Sequence, residues 1–243
     1  PPPSSPKAAL TTTMPANIAM TTEPRQRLRL QSWLSPAFPI GAFSYSHGLE
    51  YAVEVGLVHD RESLVDWLEA DLCHGSGRNE AIFLALALQA DADEFQEIAE
   101  LAAASFGTSE LALEGLSMGE AFLKTVLRAW PNDNLREQAG LLAVRPTLAI
   151  AVAMACTAHG IDPTATLQLF LQAWSANLIN AALRFVPLGQ TDGQLAQAAM
   201  EAAVLATADE AGNATLADIG SAALMVDWAS MRHENQYTRL FRS

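Results

Sequence analysis

Cysteine is almost absent from this chain: only Cys73 and Cys156 occur in 243 residues. Two thiols, each inside an apolar stretch, make neither a disulfide framework nor a paired-cysteine metal site, and they fit a reducing compartment. Positive charge is scarce as well. Lys and Arg number 14 against 27 Asp and Glu, for a formal net charge of -13. A phosphate-binding surface needs clustered cations, so nucleic acid is excluded as a partner, and an anionic membrane surface would repel the chain. No apolar run has the length of a bilayer; the longest, Pro146 to Ala158, is too short and starts beside Arg145. The phosphate-binding loop, Gly-x-Gly-x-x-Gly, His-Glu-x-x-His and Asp-Asp-x-x-Asp patterns are all missing.

What is present is apolar and helix-forming. Half of the residues are hydrophobic and only 17% are charged, enough apolar matter for one sizeable core. No long stretch alternates with a period of two. The reading is an all-α fold, a single compact domain of about ten helices with no significant sheet. Residues 1–24, rich in Pro, Ser, Thr and Ala, lack the order of a signal peptide and read as a disordered leader, with Met14 or Met20 as candidate natural starts.

The helical domain is expected over 25–243. Its helices are read as Arg25–Leu34, Ser44–Val55, one capped by Asp60 and carrying Leu64, Leu68 and Leu72 on one face, and Arg78–Ala90, apolar nearly all round. Asp93–Phe106, Ser109–Trp130, Asp133–Val144 and Pro146–His159 follow. Asp162-Pro163 then starts a helix to Phe185, Thr191 with Gln194 forms a capping box for one ending near Thr207, and Thr215–His233 is the last.

Polar chemistry concentrates in three segments. SPAFPIGAFSYSHGLE, Ser35 to Glu50, offers Ser44, Tyr45, Ser46, His47 and Glu50. On a helix His47 and Glu50 share a face and could act as base and orienter, but no nucleophile accompanies them. The bland alternative is Ser44 as a cap, Tyr45 packing and His47 in a local hydrogen bond. AALRFVPLGQTDGQ, Ala181 to Gln194, places Arg184 at a helix C-terminus, where a cation complements the dipole. MRHENQYTRLFRS, Met231 to Ser243, gathers Arg232, Arg239 and Arg242 with Tyr237, Leu240 and Phe241, side chains suited to docking on a partner or on the chain's own body. Cys73-His74 is a possible metal fragment, but two ligands do not close a site, and a buried thiol beside an exposed histidine is the simpler reading.

Together these segments resemble the urease accessory protein family UreF, with a weaker fourth block in EGLSMGEAFL, Glu114 to Leu123. The likeness runs from about Arg25 to Ser243; at Arg145 and Ile150 the chain departs from the family pattern, which has His and Gly there. The resemblance implies an all-α homodimer in the cytoplasm. It implies a complex with the accessory protein UreD (also called UreH), recruitment of the GTPase UreG and its regulation, and nickel insertion into apo-urease. It implies no enzyme activity, no resident cofactor and no metal ligands of its own. Carried over by position, the partner-binding residues are Tyr45, Ser46, His47 and Glu50; Arg184, Pro187, Gly189 and Gln190; and Arg232, His233, Glu234, Tyr237, Arg239, Leu240 and Phe241, with residues 233–243 as a docking tail. The rival reading is a helical metal-dependent or acid/base enzyme built on His47 and Glu50.

Overall fold

Alanine-rich sequence closes most of this chain into helix. In the computed structural model, which describes residues 24–243, twelve α-helices and two short 3-10 turns are found, and no strand occurs among the described residues. The leader expectation for 1–23 and the candidate starts Met14 and Met20 lie outside the described residues, and Pro24 already belongs to the first helix.

The helices run α1 Pro24–Trp33, α2 Leu49–Glu54, α3 Arg61–His74, α4 Ser76–Gln89, α5 Ala92–Ala104 and α6 Ser109–Ala129. They continue as α7 Asp133–Leu141, α8 Leu148–Ala158, α9 Pro163–Ala182, α10 Gln190–Ala199, α11 Glu201–Asn213 and α12 Leu224–His233. Side-chain caps start six of the twelve. Asp60, Asp91, Thr108, Asn132, Thr147 and Asp162 each accept a hydrogen bond from a first-turn N–H.

The core is built around α8. Ala149 through Cys156 are all buried, so over these two turns the helix has no solvent face. Both α4 and α6 pack along it, and α9 and α11 pack on the far side of α4. The α6–α8 contact depends on Gly119, where an added Cβ would sit 2.2 Å from the Pro146 carbonyl oxygen. Leu64, Leu68 and Leu72 of α3 are buried on one face, as their four-residue spacing requires. Around Trp33, Phe38, Phe122 and Trp130, edge-on, tilted and stacked rings close the end of the core beneath α1.

Four expected elements differ. Ser44–Val55 is not one helix: Ala42–Ser44 is a 3-10 turn, Tyr45 is extended, and α2 begins only at Leu49. His47 (φ 58) and Gly48 (φ 76) are both left-handed, which an α-helix cannot contain. Gly48 is also where α12 lies closest, since a Cβ there would meet the Ser230 nitrogen at 2.7 Å. α9 stops at Ala182 because the next residues tighten into turns before Pro187. The expected Thr191–Gln194 capping box does not form: Asp192 accepts from the Gly189 N–H instead, at 3.0 Å, and α10 passes into α11 through buried Met200. Finally, Thr215 caps only a 3-10 turn, Leu216–Asp218, and α12 starts nine residues later than Thr215, at Leu224. Asp218 closes that turn on the Thr215 N–H and hydroxyl, and an Ala222 N–H to His74 carbonyl bond (2.7 Å) pins the extended stretch that follows.

Candidate functional site

Five carboxylates and two histidines meet where α2, α3, α4, α6 and α12 converge, and the segment after α12 closes over them. Asp71 lies in the last turn of α3 and caps α4, accepting from the Ser76 N–H at 2.8 Å. Glu110 lies in the first turn of α6, where the helix dipole favours negative charge, and Glu114 lies one turn further on. Asp71, Glu110 and Glu114 are each less than a tenth exposed.

His47 occupies the first half of this hub. Its Nδ1 is 3.2 Å from Glu114 Oε1, its Nε2 is 3.3 Å from Asp71 Oδ2 and 2.5 Å from the Ser76 hydroxyl. Burial alone would push the imidazole down. The charge of Glu114 and the hydrogen bonds to Asp71 and Glu114 outweigh burial, so the pKa stands well above 6.5. The raised pKa favours the imidazolium form, which donates from both nitrogens, and the Ser76 hydroxyl donates to Asp71 at 2.9 Å. The set has the residues of a Ser-His-acid triad but not its arrangement: the hydroxyl proton points at a carboxylate instead of the imidazole, and the raised pKa of the ring works against a base. Glu80 of α4 lies beside this group at the edge of a pocket formed with Ser76, Asn79, Phe83, Phe106 and Asp227. Burial raises its pKa to about 7, although the Ala149 N–H and His47 work against the rise.

His233 occupies the second half. Fully buried at the end of α12, it reaches Glu110 Oε2 at 2.6 Å through Nδ1 and Glu50 Oε2 at 3.1 Å through Nε2. Glu110 also accepts from Arg239 at 2.6 Å. Glu50 accepts from the main-chain N–H groups of Leu240 (2.7 Å) and Phe241 (3.0 Å).

The segment 234–243 thus folds back onto its own body. Ser243 ends it at 0% exposure: its hydroxyl donates to Glu114 at 2.5 Å, and its main-chain oxygen accepts from the Ser46 N–H at 2.8 Å and from the Ser46 hydroxyl. The Arg242 N–H donates to the Ser44 carbonyl. Buried Phe241 packs edge-on against Phe185, with the Arg184 guanidinium 4.3 Å above its ring. Arg184 also donates to the Phe43 carbonyl at 2.7 Å, so it joins the first polar segment to the last as well as standing at a helix end.

Most of the residues singled out from sequence therefore share one place. Tyr45 is buried under the Arg242 guanidinium, Arg232 lies against Tyr51, and Glu234 accepts from Ser109. Tyr237 is fully exposed and Leu240 is 54% exposed. Pro187, Gly189 and Gln190 form the exposed connection from α9 to α10. The His47–Glu50 pair of the rival reading does not form: left-handed His47 and Gly48 turn the imidazole toward α3, α4 and α6, while Glu50 faces His233 and the final segment. Cys73 contacts Thr207 at 3.7 Å and His74 is exposed; no group of three or more such side chains is arranged to hold a metal ion among the described residues.

Comparison with known proteins decides the family. The UreF family profile matches residues 58–201. A urease accessory protein UreF from Rhodopseudomonas palustris strain BisB5 is 49% identical over 219 residues, covering 88% of this chain and 90% of the relative. The chain belongs to the UreF family of urease accessory proteins. The same description is carried by a Bradyrhizobium diazoefficiens relative, 44% identical over 240 residues with 96% and 99% of the two chains covered. A Magnetococcus marinus relative is 42% identical over 224 residues, with 89% and 97% covered.

UreF proteins are accessory and not catalytic. Gly115-Leu116-Ser117-Met118-Gly119 does spell Gly-x-Ser-x-Gly, but in the middle of α6; a nucleophile elbow needs a strand-to-helix turn. No helix among the described residues is long and apolar enough to cross a membrane. Sequence reading missed Asp71, Ser76, Glu80 and Glu110, and took Glu114 only as part of a family block. A signal existed for two of them. Glu110 and Glu114 fall on the same helical face as Leu111, Gly115 and Phe122, all buried, and carboxylates on an apolar face require partners.

Proposed function

We propose that this chain acts in urease maturation as a nickel-insertion chaperone of the cytoplasm. In this reading it forms a homodimer, binds UreD/UreH, and recruits and regulates the GTPase UreG, so that nickel, the cargo, reaches apo-urease. Family membership supports the role in maturation. The observation that carries the docking mode is the division of labour within segment 233–243. His233, Phe241 and Ser243 are buried anchors, whereas Tyr237 and Leu240 stand in solvent between them. Exposed aromatic and aliphatic side chains flanked by Arg232, Arg239 and Arg242 are the composition that interface centres favour. Tyr237, Leu240, Arg232, Glu234 and Arg239 then contact the partner, with Pro187, Gly189, Gln190 and Arg184 at the rim. Tyr45, Ser46, His47 and Glu50 work beneath them by holding the segment in place.

The test is co-elution with purified UreD/UreH by size exclusion with light scattering. Tyr237→Ala and Leu240→Ala should weaken the complex while leaving thermal stability unchanged. Retention of full binding in both variants would remove the segment from the interface. Light scattering on the isolated chain tests dimerisation directly, because one copy has a mass of 26.0 kDa.

A further inference from the structure

The buried hub and the segment that covers it are joined by hydrogen bonds, and this coupling goes beyond the partner assignments and does not rest on them. We propose that docking of residues 234–243 is a proton-dependent latch, closed when the His47 hub is protonated and loosened as the pH rises.

The geometry is a continuous chain of contacts. Ser243 donates to one oxygen of Glu114 (2.5 Å), and the other oxygen of Glu114 faces His47 Nδ1 (3.2 Å). Ser46, next to His47, holds the Ser243 main-chain oxygen from two donors. Ser243 and Ser46 are both at 0% exposure, so the segment seals the carboxylates from water. Groups from four elements face or lie near His47, and the charges of Glu114 and Asp71 raise its pKa. Asp71 comes from α3, Ser76 and Glu80 from α4, Glu114 from α6, and the Trp174 ring edge from α9 at 5.9 Å. The second half of the hub, Glu50, Glu110, His233 and Arg239, holds the rest of the segment.

Protonated, His47 offers one N–H to each carboxylate side. Deprotonated, it has one N–H left, and a lone pair then faces either Glu114 or the Ser76–Asp71 pair. Glu114 becomes a buried carboxylate that has lost its cation, which is costly in a dry site. Lifting Ser243 admits water to Glu114 and relieves that cost. The docked state therefore binds the proton more tightly than the open one, and proton loss favours opening. Glu80 acts in the same direction: its ionisation near neutrality adds a second unpaired negative charge beside Glu114.

Hydrogen exchange of the full chain between pH 6 and 9, corrected for intrinsic rates, tests this at the Leu240, Phe241 and Arg242 amides. Their bonds to Glu50 and Ser44 exist only in the docked state. Their protection should fall at least about tenfold more than that of the α8 amides, the factor carried by one unit of pKa difference between docked and open states. His47→Gln should abolish that difference. Ser243→Ala, a change confined to the latch, should lower protection at every pH and flatten its dependence. Protection that is constant with pH, or that falls equally in α8, overturns the proposal. So does a pH dependence that survives in either variant.

Discussion

Glu50 and His233 stand 183 residues apart in sequence and 3.1 Å apart in space. Glu50 is the common acceptor for that ring and for two main-chain N–H groups of the final segment, so one carboxylate ties α2, α12 and residues 240–241 together. Replacing it with Ala leaves these donors without an acceptor. Glu50→Ala should lower stability by about 3 kcal/mol in urea unfolding. It should also expose the Arg239 and Arg242 bonds to trypsin in the folded protein.

Stability should depend on pH with a definite sign. His47 has a raised pKa, so its contribution is complete below 6.5 and is lost as pH rises through the folded value. Glu80, raised from 4.5 to about 7, holds its proton in the fold and loses that advantage between those values. Asp60 and Asp218, lowered by hydrogen bonds to Ser63 and Thr215, act oppositely at acid pH, where their contribution disappears as pH falls. Thermal melts should therefore peak near about pH 5 and decline toward pH 8. In Glu80→Gln the decline between pH 5 and 7 should shrink; an unchanged profile would remove Glu80 from the account.

Helix approach should be equally sensitive. Gly119→Ala drives a methyl group into the Pro146 and Thr147 backbone, at 2.2 to 2.6 Å, between the two helices that pack the core most tightly. The expected loss is about 3 kcal/mol, read as a lower urea midpoint with an unchanged slope.

Arg184 should behave as a joint. Arg184→Ala removes a hydrogen bond to Phe43 and a cation over the Phe241 ring, for about 1 kcal/mol in total because the guanidinium is exposed. Arg184→Lys should recover only part of this, since an ammonium cannot stack flat on the ring.

The two thiols should differ in reactivity. Burial pushes Cys156 up to about 12, and Cys73, half-buried, is raised for the same reason. Iodoacetamide at pH 8 should label Cys73 slowly and leave Cys156 untouched until urea unfolds the chain, as mass spectrometry of the peptides will show.

Sequence alone determined the helical class and most helix starts, because these depend on short-range physics. Asp60, Thr108, Thr147 and Asp162 cap their helices from within four residues, and Pro131, Gly160 and Pro187 mark ends by backbone chemistry. It also singled out the polar segments, since charged, aromatic and serine residues stand out against an apolar background. The tertiary structure decided what those segments do. The left-handed turn at His47 and Gly48 depends on α12 lying against Gly48, so no local pattern shows that the imidazole leaves Glu50 for Glu114 and Asp71. Glu50, Glu110 and His233 likewise meet only when α2, α6 and α12 converge. Their polar atoms find partners there because elements distant in sequence exclude water together.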